Sequence, residues 1–110
     1  MKTNSIELKE ISWPNFGISI KPPEIELDEL LIRLDKVRIF MDKIGLTHLI
    51  VYGDREHFAN LMYLTWFDPR FEESILVIKK DGKPLILVGN ECKDYLRISP
   101  LRLKTASCMA

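Results

Sequence analysis

Between Leu27 and Ile44 the chain reads LDELLIRLDKVRIFMDKI, with apolar side chains at Leu27, Leu30, Leu31, Leu34, Val37, Met41 and Ile44. Steps of three and four gather these onto one stripe of an α-helix, a spacing no strand shares, because strand side chains alternate with period two. Gly45 follows, free to take the left-handed conformation that ends a helix, and Leu46 beyond it is placed to pack back on Met41. Glu29 and Arg33 are four apart and are expected to pair on the wet face. A helix with a single apolar stripe needs a second layer to cover it, so the remaining chain must supply one.

THLIVYG, residues 47–53, is too short for a helix and rich in β-favouring residues; it reads as a strand covered on both faces. Asp54 then reads as an N-cap, with a second helix from about Arg55 to Leu64 and Glu56 favourably placed against its dipole. Pro69 breaks regular structure in FDPRFEE. SILVIKKDGKPLILVGN supplies two strands joined by a turn at Asp81-Gly82, a β-hairpin. ECKDYLRI reads as a short helix packing Cys92, Leu96 and Tyr95, stopped by Pro100, with LRLKT adding an edge strand. Residues 1–26 read as an extended arm lying across the domain. Trp13, Phe16, Ile18 and Ile20 need burial there, while Pro14, Gly17, Pro22 and Pro23 interrupt pairing. The order helix, strand, helix, hairpin, helix specifies an α/β domain over residues 27–110, built on a mixed sheet.

A chain of 110 residues is one domain with an adequate core. Sixteen basic against 16 acidic side chains leave no net field, so nucleic acid and anionic lipid are not expected partners. No apolar run approaches the roughly 20 residues that span a bilayer, and MKTNSIELKE lacks the apolar core of a signal peptide, so the chain is expected to be soluble, unprocessed and cytoplasmic. Cys92 and Cys108 form no C-x-x-C pair and have no histidine nearby, which reads as reduced structural thiols rather than a zinc site. The five glycines make neither G-x-G-x-x-G nor a P-loop, and neither G-x-S-x-G nor H-E-x-x-H occurs. No cofactor, metal or catalytic set is therefore assigned to this chain.

The residues that invite a functional reading lie in DREHFANLMYLTWFDPRFEE, residues 54–73. His57, beside Asp54 and Glu56, has the chemistry of a base or ligand, but at an exposed helical turn it reads better as a solvated or capping side chain. His48 opens a strand and reads as structural. Helical spacing makes core of most of Phe58, Leu61, Met62 and Tyr63. Arg70 stands after Pro69 with a planar fork suited to clamping a carboxylate, and a salt bridge to Glu72 or Glu73 explains it equally well. Trp66, Phe67 and Phe71 put more aromatic surface around this loop than a short turn needs. With Arg70 they form the candidate substrate or subunit contact.

RLDKVRIFM at 33–41, IGLTHLIV at 44–51, N-x-x-Y-L-T-x-F at Asn60–Phe67 and the hairpin arrive in series. That series, over roughly residues 33–91, resembles the N-terminal domain of the creatinase and Xaa-Pro aminopeptidase (prolidase) family, the pita-bread metallohydrolases. The resemblance implies a three-layer-like α/β domain with a mixed sheet and flanking helices. Where the family usually has glycine before the final phenylalanine of the motif, this chain has Trp66, which implies a locally altered loop in place of a tight left-handed turn.

In such enzymes the C-terminal domain carries two aspartates, a histidine and two glutamates that hold a divalent metal pair, or a metal-free histidine-centred site in creatinase-like members. The N-terminal domain mediates dimer or tetramer contacts and closes over a neighbouring active site. The expectation is therefore a non-catalytic accessory domain, a truncation lacking the catalytic domain, with any divalent metal belonging there. Peptide or small amide substrates are expected only in a full-length context. A sheet ending near Leu101 leaves an unpaired edge and uncovered apolar side chains, from which a homodimer is expected. The alternative is a stand-alone, non-enzymatic module binding peptides or partner proteins.

Overall fold

The computed structural model describes residues 4–21 and 23–107; the expectations for Pro22 and for the Cys108 thiol lie outside the described residues. Helix α1 spans Leu27–Ile44, strand β1 His48–Gly53, helix α2 Ala59–Thr65, β2 Ser74–Lys79, β3 Leu85–Val88 and β4 Lys104–Ser107, with a 3-10 turn at Asp94–Ile98 before β4. The long stripe yields α1 with the bounds its periodicity predicts. Leu30, Leu34 and Met41 are buried, and Gly45 closes the helix at φ 76°. The Leu46 N–H donates to the Met41 carbonyl at 2.8 Å, satisfying one of the orphaned acceptors of the last turn.

The strands lie in the order β1-β2-β3-β4. β1 and β3 both run antiparallel to β2, and β4 runs parallel to β3, so the sheet is mixed as expected. The hairpin is held to α1 at its turn: the Arg38 guanidinium donates to the Lys79 carbonyl at 2.9 Å and to the Gly82 carbonyl, and Lys80 pairs with Asp42 at 2.7 Å.

One core serves both helices and one sheet face. Leu34 and Met41 of α1, Leu61 and Leu64 of α2, Leu76 and Ile78 of β2, Ile86 and Val88 of β3, Phe67 and Cys92 form a single buried cluster. The sheet's other face carries no helix among the described residues, and the mixed sheet with flanking helices is the α/β arrangement expected. β1 is accordingly not covered on both faces. It is an edge strand whose side chains alternate, with Ile50 66% and Tyr52 46% exposed. An unbroken apolar run does not distinguish a doubly covered strand from one whose outward face has no partner.

The arm does not lie across the domain either. From Asn4 to Lys21 it is exposed throughout, and the Cα radius of gyration of 20.3 Å exceeds the ~13 Å of a compact chain this long.

Candidate functional site

Asp54 sits where β1 leaves the sheet. Its Oδ1 accepts the Glu56 and His57 backbone N–H groups at 2.8 and 2.6 Å, and its Oδ2 accepts the Tyr52 hydroxyl at 3.0 Å. The carboxylate thus caps a turn, not the helix. α2 begins at Ala59, four residues later than expected, because the turn that Asp54 closes uses the residues a helix would have needed. The His57 N–H, helped by the Glu56 N–H and the His57 ring, holds the Asp54 carboxyl down at about 2. The same carboxylate pushes the Tyr52 phenol up to about 12. His57 Nδ1 lies 3.1 Å from Asp54 on an exposed turn, as a capping side chain would. His48 opens β1 and is exposed, 3.1 Å from the Thr47 hydroxyl.

The N-x-x-Y-L-T-x-F motif is explained by packing. Leu61, Leu64, Thr65 and Phe67 are buried, and the Thr65 hydroxyl donates to the Leu61 carbonyl at 2.7 Å while accepting the Phe67 N–H at 3.2 Å. Of Phe58, Leu61, Met62 and Tyr63, only Leu61 joins the core, because α2 is short and packs through one edge. Tyr63 instead carries Arg33, whose guanidinium carbon lies 4.3 Å from the ring centroid and which also donates to the Tyr63 carbonyl at 2.8 Å. The Glu29–Arg33 pair forms at 2.8 Å, but Arg33 is largely covered by α2 instead of lying on a wet face. Trp66 keeps the tight turn. At φ 58° and ψ 25° it takes the left-handed conformation that glycine takes without strain, and its N–H donates to the Met62 carbonyl at 2.7 Å.

Beyond Trp66 the predicted contact residues separate. Phe67 is 1% exposed and belongs to the core, so it presents no surface to a substrate or a subunit. Phe71 is exposed and packs at a tilt on Tyr95, ring centroids 5.6 Å apart. Arg70 is exposed, and of its two expected partners, Glu72 and Glu73, the first is engaged elsewhere. Glu72 turns inward, accepting the Glu91 and Cys92 N–H groups at 3.2 Å each, with Gly89 so close that a side chain there would collide with the carboxylate. That contact ties the loop to the segment after β3, and burial beside it pushes the Cys92 thiol up. Among the described residues Arg70 forms no ion pair.

Arg70 instead lines an open cleft of 420 Å³ with Arg55, Phe58, Asp68 and Phe71, while Trp66 lines a neighbouring hollow that Arg70 also borders. Arg55 is the member that sequence reasoning missed. It lies fifteen positions before Arg70 with no spacing to connect them, and only the folding of the Asp54 turn against the Pro69 loop brings both to one cleft. Two guanidiniums, one carboxylate and two rings suit a small anion with an apolar body. No group of three or more histidine, cysteine, aspartate or glutamate side chains gathers in a metal-holding arrangement among the described residues.

These features define an α/β domain with helices on one face of a mixed sheet and an arginine-lined cleft at the end of β1. No family model matches the sequence and no curated protein matches it. Solved structures do. The dipeptidase PepE of Mycobacterium ulcerans superposes with a TM-score of 0.59 at 17% identity, covering 77% of this chain and 24% of its own. The creatinase/prolidase N-terminal domain of an X-Pro dipeptidase from Streptococcus pyogenes gives 0.54 at 20% identity, covering 70% of this chain and 56% of that one. A proline dipeptidase from Streptococcus agalactiae gives 0.54 at 19%, covering 70% and 58%. This chain therefore has the fold of a creatinase/prolidase N-terminal domain, and it spans only part of the length of each of these relatives.

Proposed function

We propose that this chain is a non-catalytic accessory domain of an Xaa-Pro dipeptidase or creatinase-like hydrolase, one that assembles with other copies and closes over an active site built elsewhere. In this reading Arg70, assisted by Arg55, receives the carboxylate of a peptide or small amide substrate, and Phe58 and Phe71 shelter its apolar part. The reading is supported most by the convergence of Arg55 and Arg70 on one cleft, with Arg70 unpaired among the described residues. The likeness to domains of dipeptidases suggests the substrate class. Any divalent metal belongs to the separate catalytic part, and the setting is cytoplasmic and reducing, with Cys92 kept as a thiol. No helix among the described residues is long and apolar enough to cross a membrane.

The chain by itself should hydrolyse neither Xaa-Pro dipeptides nor creatine with added manganese, cobalt or zinc, because an activated metal-bound water needs a ligand set the described residues do not gather. Turnover that follows the purified chain through fractionation overturns the reading. In an enzyme carrying this domain, Arg70→Ala should raise KM for carboxylate-bearing substrates roughly tenfold with kcat nearly unchanged, the mark of lost uniform binding through a charge-assisted hydrogen bond. Unaltered kinetics would reduce Arg70 to a solvated surface charge.

A further inference from the structure

The loop that carries Arg70 is buried at its two ends and exposed between them. Phe67 and Pro69 are buried before it and Ser74 after it, while Arg70, Phe71 and Glu73 are exposed. Glu72 alone of residues 70–73 turns inward. Its two carboxylate oxygens accept one backbone N–H each, from Glu91 and from Cys92, both at 3.2 Å. These donors sit on a fixed base, because Val88 before them and Cys92 itself belong to the core. Gly89 makes the approach possible. Its φ is not positive, so glycine is not required there by backbone conformation. It is required by space, since a Cβ at that position would overlap the Glu72 carboxylate. The same segment supports Phe71: the Tyr95 N–H donates to the Cys92 carbonyl at 3.1 Å, and the Tyr95 ring meets the Phe71 ring. Arg70, one residue earlier, donates its N–H to the Asp68 carbonyl at 2.8 Å and enters the cleft from a loop secured on both sides.

Securing the loop has two consequences for the cleft. A guanidinium already held in place loses less freedom on receiving a carboxylate than one on a loose loop. The second consequence concerns charge. Glu72 stands two residues from Arg70, and a released carboxylate at that distance is a local competitor for the same planar fork. With both oxygens occupied by amides, it is withheld from Arg70.

We propose that Glu72 is a positioning residue for the cleft: pinned to the Glu91 and Cys92 amides beside Gly89, it holds Arg70 and Phe71 ready for an anionic ligand and keeps its own carboxylate away from Arg70. The role rests on the carboxylate reading of the cleft given above. The probe is hippurate, an aromatic carboxylate, titrated into the full chain by NMR, with its neutral amide as control. Circular dichroism checks the folding of each variant. Arg70→Ala should weaken hippurate at least roughly tenfold, as loss of a charge-assisted hydrogen bond does. Glu72→Ala should weaken it roughly fivefold by loosening the loop, and should abolish the Phe71–Tyr95 ring contact in nuclear Overhauser spectra without ligand. Gly89→Ala, which expels the carboxylate but keeps its charge, should weaken hippurate more than Glu72→Ala does. The decisive result is a reversal of sign: adding Glu72→Ala to Gly89→Ala should strengthen binding, because the released competitor is removed, whereas a merely structural contact gives a second loss or no change. Where Gly89→Ala does not fold, Glu72→Gln decides, since its amide oxygen accepts one of the two N–H groups and should recover part of the affinity and the ring contact that Glu72→Ala loses; no recovery overturns the role. Hippurate sensitive to Arg70→Ala but indifferent to Glu72→Ala and Gly89→Ala overturns the positioning role and leaves the cleft standing. Hippurate that binds Arg70→Ala as well as the unaltered chain, or binds neither, overturns the carboxylate reading and this role with it.

Discussion

Trp66 is the described non-glycine residue with a positive φ, and it stands where the helix must reverse into the Pro69 loop. An L-residue in that conformation sets its Cβ against the following carbonyl, at a cost of about 1 kcal/mol that glycine avoids. Trp66→Gly and Trp66→Ala both remove the indole and differ only in that clash, so the glycine variant should be the more stable by about 1 kcal/mol in urea denaturation. Ser74 presents the reverse case: its hydroxyl is buried with no hydrogen-bond partner among the described residues, and Ser74→Ala should raise stability by about 1 kcal/mol on the same assay. The Asp54–Tyr52 pair sets a pH window. Asp54 is depressed from 3.8 to about 2, so its contribution is complete above 3.8 and lost as pH falls toward 2. Tyr52 is raised from 10.0 to about 12, so its contribution is complete below 10.0 and lost as pH climbs to 12. Asp54→Asn should flatten stability over the acid window, and should return the Tyr52 phenol toward 10 in an NMR titration.

At the scale of elements, the hairpin and α1 are each local products, and what joins them is not. Periodicity gives α1, and β-favouring residues around Asp81-Gly82 give β2 and β3, but the seam between them depends on Arg38 reaching the Lys79 and Gly82 carbonyls. Arg38→Met keeps the aliphatic stem and removes the donors, and should cost about 1 kcal/mol. Amide exchange should quicken at residues 79–82 with α1 unaffected; equal loss of protection in α1 would mean that the seam and helix open as one unit. α2 starts later than a cap at Asp54 implies, for a physical reason. Asp54 caps equally well a helix or a single turn, and the choice of a turn followed by a helix from Ala59 is made by Leu61 and Leu64 finding the core. The cleft was half legible in the same sense. A guanidinium after a loop proline marks Arg70, whereas Arg55 becomes its neighbour only through contacts between segments that the sequence keeps apart.

For the whole molecule, none of the described residues 4–21 and 23–26 contributes to the core cluster, so the domain from Leu27 onward should fold without the arm. At concentrations where the chain is monomeric, deleting residues 4–21 should leave the urea midpoint unchanged; a clear drop would reveal docking of the arm on its own domain. The sequence by itself determined what local periodicity and chain stiffness dictate: α1 with its glycine stop, the hairpin, an edge strand after Pro100, a mixed-sheet α/β class, and an arm too interrupted by proline to enter the sheet. Tertiary structure alone decided which surfaces are shared. Whether β1 is covered once or twice, whether Phe67 lies inside or outside, whether Glu72 pairs with Arg70 or turns toward the Glu91 and Cys92 amides, and whether Arg55 meets Arg70 all depend on contacts between residues distant in the chain. An apolar side chain is equally satisfied by its own core, by a second copy or by a neighbouring domain, and a carboxylate by any donor within reach; its sequence neighbours do not distinguish among them.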